Sequence, residues 1–492
     1  MPHLLVIAVF LVLFLRDALP ARSAASPGAW SWAAPLVSPV LIALVAGVLL
    51  RRAARALQAT GDTRHVARGD RVLRVSLWAG VLVHAVSVLA LGWLDFVRSS
   101  VGDLIVIDEL LASLPPLVLM PVLWFFHAPI DALLRDAVLL RRLDEGGTIY
   151  PRVSRLEHVA MNLRHQVAIV LVPLAGVLAW GELVERLARA AVAQAPPPGS
   201  PVHGLVALIG SWLVEARAGA WIVAGVQLAG GLMLFALIPL ALRRIWDTVP
   251  LAAGPLRDRL LGVCTDHAVR VRDLLVWRTS GTMVNGAVMG FHARARFILF
   301  TDALLDLLHQ DHLEAVTAHE VAHIRLRHLA WLVVSVMASA LATALVVSVV
   351  VQRAWAGLVP EELLGLVALV PSAAAALLGF GYVSRRFEWQ ADAFAAAHLS
   401  RRLGPDGGGR IAPEAVAAMS GALCLVADAA GVPSDRFTWR HGSIAHRRER
   451  LDALVGERAD RLPIHREVRT LKLAAAIVLV VAVAGLVLGG FA

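Results

Sequence analysis

The chain has 492 residues, of which 58% are hydrophobic and only 17% are charged, and its mean hydropathy is +0.70. A soluble domain is about 45–50% apolar and about 25% charged, so this composition excludes an ordinary soluble enzyme and a disordered scaffold. The formal charge of +9 comes from arginine, since Lys472 is the single lysine. Because no basic-aromatic recognition pattern accompanies it, this excess indicates cytoplasmic loops of a membrane protein and no nucleic-acid partner.

Uncharged runs predict a polytopic α-helical membrane protein with about nine spans. About 20 helical residues cross the hydrocarbon core. The runs that approach this length are 23–50, 75–94, 110–126, 167–181, 218–242, 329–351, 363–383 and 473–492. Residues 4–15 form a shorter run that could belong to a signal peptide. We interpret it as an uncleaved first span, because it lacks a basic leader.

Loop charge predicts the orientation of these spans. Residues 51–74 hold seven arginines and residues 127–166 are also arginine-rich, whereas 190–204 carry no charge. The positive-inside rule therefore places the first two segments in the cytoplasm and the third outside. Two longer aqueous stretches, 243–328 and 384–472, then fall on the cytoplasmic side.

A sequence motif in the first aqueous stretch predicts a metal site. His319, Glu320 and His323 form an HExxH pattern within a segment of helical periodicity. Residues four apart share one face of a helix, so the two imidazoles can bind the same ion. The carboxylate of Glu320 can then accept a proton from metal-bound water.

A catalytic zinc needs a third protein ligand, and the best candidate is Glu388. His323 lies six residues before the span at 329–351, and Glu388 lies five residues after the span at 363–383. At about 1.5 Å per helical residue, both lie roughly 7–9 Å from the same membrane face. The hairpin 329–383 should therefore return Glu388 to the histidines. Asp392, one turn further on, could accept the N–H of a ligand histidine.

The order of HExxH, two spans and then SRxxExxAD resembles the M48 family of membrane zinc metallopeptidases. This family includes the CAAX-type prenyl-protein endopeptidases and the HtpX-like quality-control proteases. A third family element fits His441, Arg447 and Leu451 by spacing, although Gly442 stands where the family usually has proline. His446 could be read as the motif histidine instead.

The resemblance implies further site residues. His441 and Arg447 would lie near the metal and stabilise the oxyanion of the tetrahedral intermediate. Similar family members have an edge strand near the cleft, which would place Asn285, Gly286 and Ala287 where they can pair with a substrate backbone. The residues themselves also permit a simple hairpin, because Asn-Gly between apolar pairs is a strong turn signal. A strand is expected from Arg296 to Phe300.

We therefore predict a mainly α-helical membrane protein with a zincin-like helical catalytic domain and a small β-sheet. The domains would be an N-terminal membrane region at 1–242, a zinc metallopeptidase domain at 243–472 interrupted by the hairpin 329–383, and a last span at 473–492. One Zn²⁺ per chain would serve the cleavage of membrane-associated or misfolded proteins at the cytoplasmic face of a bacterial inner membrane.

Two other functions remain open from the sequence. A sensor protease of the BlaR type also uses HExxH, but its glutamate generally lies closer to the motif than the 65 residues that separate His323 and Glu388 here. A non-enzymatic transporter or structural protein with a degenerate site is the second alternative. Transporters usually place ionisable groups within their spans, and the strongest spans here contain none beyond His84.

Overall fold

The computed structural model describes residues 2–19, 28–144, 150–193, 217–354, 361–403 and 409–489. Contacts divide the chain into two compact units, Met1–Trp246 and Asp247–Ala492. The external loop predicted at 190–204 lies almost entirely outside the described residues.

The first unit is built of helices. Its described helices are α1 (Pro2–Ala18), α2 (Ala29–Thr60), α3 (Arg64–Leu89), α4 (Trp93–Val101), α5 (Ile107–Asp144), α6 (Arg155–Asn162), α7 (Ile169–Ala193) and α8 (Arg217–Ile245), with a π-helical turn at Leu163–Ala168 between α6 and α7. Buried side chains of α1 pack in the core of this unit, among them Leu5, Val9 and Phe10. The run at 4–15 is thus a packed helix of 17 residues.

A glycine with positive φ ends α2, and another lies between α3 and α4. Gly61 closes α2 with φ 66° and donates its N–H to Leu57 O. The span predicted at 75–94 ends at Leu89, because the chain turns at Gly92 (φ 75°) before α4 begins. Glycine adopts this left-handed conformation without the steric cost that other residues meet.

The second unit combines helices with a small sheet. Its helices are α9 (Pro255–Asp266), α10 (Asp302–Leu307), α11 (Gln310–Arg325), α12 (His328–Ala354), α13 (Glu361–Leu403), α14 (Pro413–Ala429), α15 (Ile444–Asp452) and α16 (Pro463–Gly489), and its strands are β1 (Thr248–Pro250), β2 (Asp273–Trp277), β3 (Gly286–Met289) and β4 (Phe297–Thr301). Residues from α9, α11, α13, α14 and β4 share one apolar core.

Eight helices in the described part of the chain are long and apolar enough to cross a membrane. Their outward apolar side chains, such as Leu44, Leu82 and Leu378, are more than half exposed. Exposed leucines along a helix are typical of a surface that faces lipid. The predicted fold class is confirmed: the chain is a polytopic, mainly α-helical integral membrane protein with a small sheet.

The sheet has the order β1-β2-β4-β3. β2 and β4 are parallel, whereas β1 and β3 are antiparallel to their neighbours. All five residues of β4 are buried, which explains its continuous apolar sequence. The strand predicted from Arg296 to Phe300 is therefore confirmed within one residue.

Of the two alternatives that the sequence leaves open at Asn285-Gly286, the simple hairpin turn does not form. Gly286 begins β3 and pairs with Phe300, and the Thr301 N–H donates to Asn285 O at 3.0 Å. The turn signal of Asn-Gly is local, and here it is overridden by pairing with the fully buried β4. The chain reverses between β3 and β4 instead, beginning at Gly290, whose φ is 102°.

The membrane hairpin is formed by α12 and α13, which pack along each other. Arg327, with φ 55°, separates α11 from α12, so the motif helix ends directly before the membrane helix begins. α13 has 43 residues, or about 64 Å of helix. This helix continues without a break beyond Val383. The helix that forms the second arm of the hairpin therefore also carries Glu388 and Asp392.

Candidate active site

α11 presents the two motif histidines on one face. Nε2 of His319 lies 3.1 Å from Nε2 of His323. The opposite face of the helix buries Leu313, Ala318 and Val321 in the apolar core, which fixes the direction of the imidazoles. The helical context that the HExxH spacing predicts is therefore present.

α13 adds a carboxylate to this pair. Glu388 Oε2 lies 3.6 Å from His319 Nε2, and Glu388 Oε1 lies 3.7 Å from His323 Nε2. One ligand atom of each residue falls within 4.8 Å of the others, and the three residues form a group that could hold a metal ion. The structure thus brings together all three residues that the sequence predicts as ligands.

The donor atoms lie close to the spacing of a tetrahedral site. Ligand atoms bonded at about 2.0–2.2 Å to a tetrahedral zinc stand about 3.3–3.6 Å apart. Here the two imidazole nitrogens lie 3.1 Å apart, and they lie 3.6 and 3.7 Å from different oxygens of Glu388. Two imidazole nitrogens and one carboxylate oxygen also match the ligand set of catalytic zinc, which leaves a fourth position open.

A carboxylate and a guanidinium lie behind His319. Its Nδ1 is 2.9 Å from Asp392 Oδ1, while Arg447 donates to both oxygens of Asp392 at 2.8 and 2.6 Å. Burial disfavours charge on His319, but the carboxylates of Asp392 and Glu388 outweigh burial and raise its pKa to about 10. Burial and the neighbouring His319 lower the pKa of His323 to about 4. The carboxylates of Asp392 and Glu388 therefore favour a positive charge on His319, whereas the surroundings of His323 favour its neutral form.

A series of hydrogen-bonded side chains lies behind His323, and the sequence did not predict it. Its Nδ1 is 2.9 Å from Nδ1 of His328, whose Nε2 is 3.0 Å from Gln390 Oε1. The Gln390 amide nitrogen is in turn 2.9 Å from His465 Nδ1. His328 is buried and stacks on Phe387 with ring centroids 4.4 Å apart. Because Gln390 Oε1 can only accept, His328 Nε2 carries a proton, and its Nδ1 is free to accept the N–H of His323.

Glu320 lies beside the triad in a cavity of about 830 Å³ that His319, His323 and Glu388 also line. Burial raises the pKa of Glu320, against the charge of His319 and a hydrogen bond that the Val288 N–H donates to it. A carboxylate with a raised pKa is a stronger base near neutral pH. Its position and basicity suit proton transfer to and from a water in this cavity.

The structure places His441 and Arg447 at the triad and His446 elsewhere. His441 Nδ1 and Arg447 Nη1 lie 3.1 and 3.4 Å from Glu388 Oε2. His446 is exposed and packs its ring against Trp389. Gly442 has φ 78°, which proline cannot adopt because its ring fixes φ near −65°. The departure from the family's usual proline thus has a backbone cause, and the register that starts at His441 is the one that reaches the site.

β3 lies at the edge of the sheet and lines the same cavity. Partners alternate along an antiparallel pair. Since Asn285 O accepts from Thr301, the groups of Gly286 and Val288 face away from β4, toward the free edge. The hydrogen bond from Val288 to Glu320 agrees with this direction. Asn285 and Ala287 turn their main-chain groups to β4.

Comparisons with known proteins bear on this site. A model of peptidase family M48 matches residues 275–420, a range that contains His319, Glu320, His323 and Glu388. No curated protein matches the sequence. Among solved structures, the crystal structure of Ste24p from S. mikatae is similar over 87% of this chain and 100% of that chain, at 15% identity and a TM-score of 0.43. At these values the likeness supports no statement about activity.

Apolar spanning helices, a His-His-Glu group that could hold a metal ion and the family match over residues 275–420 together indicate a membrane metallopeptidase. Residues 275–420 match the model of peptidase family M48, the family that the chain's motifs resemble.

Proposed function

We propose that the protein is a zinc metalloendopeptidase that cleaves membrane-associated or misfolded proteins at the cytoplasmic face of a bacterial inner membrane. The observation that carries this proposal is the convergence of His319, His323 and Glu388, with one ligand atom of each within 4.8 Å of the others, next to Glu320. One Zn²⁺ per chain would be held by the first three residues. When bound, zinc would supply a Lewis acid that polarises the scissile carbonyl and lowers the pKa of a coordinated water.

The side chains of the site would then transfer protons, stabilise the oxyanion and orient a ligand histidine. Glu320 would take a proton from the attacking water and return it to the leaving amine. His441 and Arg447, both near Glu388, would donate hydrogen bonds to negative charge that develops on the carbonyl oxygen. Asp392 would hold His319 with Nε2 directed to the metal.

The edge strand would bind the substrate backbone. An extended peptide can add to a free edge through main-chain hydrogen bonds. We assign this role to the segment Asn285, Gly286 and Ala287, and extend it to Val288. The outward groups of Gly286 and Val288 support this assignment. N-methylation of the substrate amide that pairs there should lower kcat/KM by at least tenfold, and methylation at a remote amide should not.

The proposal is tested by cleavage and metal content together. Purified wild type, Glu320→Gln and the control Glu414→Gln, which changes an exposed glutamate on α14, would be given an unfolded membrane protein. We expect zinc in all three, and cleavage only by the wild type and the control. Equal cleavage by Glu320→Gln, or a wild type that retains no zinc, would contradict the proposal; the latter would favour a non-enzymatic membrane protein.

Orientation is tested separately by cysteine labelling in intact cells, in a background without Cys264 and Cys424. The positive-inside rule predicts that Pro197→Cys is labelled by an impermeant reagent and that Arg68→Cys is protected. The reverse pattern would place the peptidase domain outside.

A further inference from the structure

The first unit contains a polar cavity that the proposed peptidase activity does not use. It has a volume of about 430 Å³ and is formed by the last turns of α2, the C-terminal part of α5 and the start of α6. Four arginines line it: Arg51, Arg55, Arg135 and Arg155.

These arginines keep unused hydrogen-bond donors. In the part of the chain that the structure describes, no carboxylate pairs with Arg51, Arg55 or Arg155. The guanidinium of Arg51 lies 4.7 Å from the ring centre of Phe126, which positions the cation without consuming its N–H groups. Nη2 of Arg135 lies 3.3 Å from Nδ1 of His158.

The two carboxylates in the cavity have other partners. Asp131 lies 3.5 Å from His127 Nδ1 and 3.3 Å from His158 Nε2. Asp136 pairs with Arg152 at 3.2 Å. Since four arginines and only two carboxylates line the cavity, it keeps an excess of positive charge.

The cavity lies at the depth of lipid headgroups. In α2 no charged residue precedes Arg51, so residues 29–50 give about 33 Å of uncharged helix. In α5 the uncharged stretch from 110 to 130 gives about 31 Å before Asp131. The hydrocarbon core is about 30 Å thick. The first charged residues at this end of the two helices, Arg51 and Asp131, therefore lie at the membrane surface.

We propose that this cavity binds the phosphodiester headgroup of an anionic phospholipid. Guanidinium groups match phosphate oxygens in geometry as well as charge, and basic pockets between membrane helices recognise such headgroups. The acyl chains would lie along the exposed apolar stripe of α2 below Arg51, which includes Leu44 (62% exposed), Val45 (62%) and Val48 (49%). This stripe favours a lipid over free phosphate. With the orientation proposed above, the lipid belongs to the cytoplasmic leaflet.

The test measures lipid binding by the full chain in detergent, and it requires neither activity nor a known orientation. Dioleoylphosphatidylglycerol, dioleoylphosphatidylcholine and inorganic phosphate would be titrated while Tm is recorded, and retained lipids would be counted by native mass spectrometry. Arg51→Gln/Arg155→Gln is compared with Arg52→Gln/Arg71→Gln. The control removes two exposed arginines of the same basic region that do not line the cavity.

We expect phosphatidylglycerol to raise the Tm of the wild type and the control, and phosphatidylcholine and phosphate to leave it unchanged. Each lining arginine should contribute about fivefold to affinity, so the cavity variant should bind about 25-fold more weakly. Arg51→Lys/Arg155→Lys should restore part of the loss. Equal weakening of both Gln variants, an equal response to phosphatidylcholine, or full protection by inorganic phosphate would overturn the proposal.

Discussion

Arg447 and Asp392 form a buried pair in which the guanidinium Nε and Nη2 lie 2.8 and 2.6 Å from the two carboxylate oxygens. The same carboxylate lies 2.9 Å from Nδ1 of His319. α15 is therefore linked through α13 to a metal-ligand candidate on α11. A single pair thus supports both the packing of three helices and the orientation of an imidazole.

Removal of Arg447 should affect stability and zinc affinity together. Arg447→Ala leaves the carboxylate of Asp392 buried without its partner, which typically costs about 3–5 kcal/mol. Loss of support for a ligand histidine should also weaken zinc binding about 10–100-fold. Thermal unfolding and chelator competition measure the two effects. The control Arg448→Ala, an exposed neighbour, should leave both stability and zinc affinity unchanged. An Arg447→Ala variant with the stability and zinc affinity of the wild type would contradict both roles of the pair.

His441 should contribute to the rate of cleavage and not to the binding of zinc. It lies near Glu388 but outside the group of three donors. If it donates to the developing oxyanion, His441→Ala should lower kcat by about 10²–10³-fold and leave zinc content unchanged. His446→Ala is the matched control and should retain full activity. The opposite pattern, with loss only in His446→Ala, would assign the motif to the other histidine.

His328 should tune zinc affinity through His323. His328→Phe preserves an aromatic ring on Phe387 but removes both nitrogens that face His323 and Gln390. Loss of such a partner typically weakens metal binding about 10–100-fold. Competition with a chromophoric chelator measures this change. His309→Phe, an exposed site before α11, should bind zinc as the wild type does, and equal affinities of all three proteins would refute the role.

Glu314 should stabilise the second unit in a pH-dependent way. It is buried and accepts hydrogen bonds from Arg259 at 2.6 Å and from Arg402, with His398 Nε2 at 3.1 Å. Burial raises its pKa, but these partners outweigh burial and lower it to about 2. Because the folded pKa lies below the unfolded one, the stabilisation is complete above about pH 4.5 and declines as the pH falls toward 2.

Glu314→Gln should therefore lower the free energy of unfolding by about 3–5 kcal/mol at pH 7. The difference from wild type should stay constant down to about pH 4.5 and narrow below that value. Unfolding in detergent with a chelator present, at pH 7, 5 and 3.5, measures it without a contribution from metal. Asp311→Asn removes an exposed partner of the same Arg259 and should cost less than about 1 kcal/mol. A gap that widens on acidification would contradict this account.

The sequence predicts the parts of the site that depend on helical spacing. HExxH positions two imidazoles because residues four apart share a face, and the lengths of two spans return Glu388 to the same membrane face. Asp392 follows from Glu388 by one further turn. These inferences need only the rise and period of a helix, and the structure places all of these residues together.

Features that depend on tertiary packing were not predictable in this way. His328, Gln390 and His465 come from three helices and meet only after the hairpin and α16 have packed. No spacing in the sequence marks them. Asn285-Gly286 shows the opposite failure, because a strong local turn signal yields to pairing with a buried strand. The arginine cavity of the first unit also carries no motif, since its lining residues are spread over two long helices and the start of a third.

The central claim is that the membrane hairpin delivers Glu388 to complete a metal site begun by His319 and His323. Zinc content and X-ray absorption of wild type, Glu388→Ala and the control Glu414→Ala test it most directly. We predict one zinc per chain in the wild type and the control, coordinated by two imidazole nitrogens and by oxygen, and at least 100-fold weaker binding in Glu388→Ala. Unchanged zinc affinity and coordination in Glu388→Ala would contradict the claim.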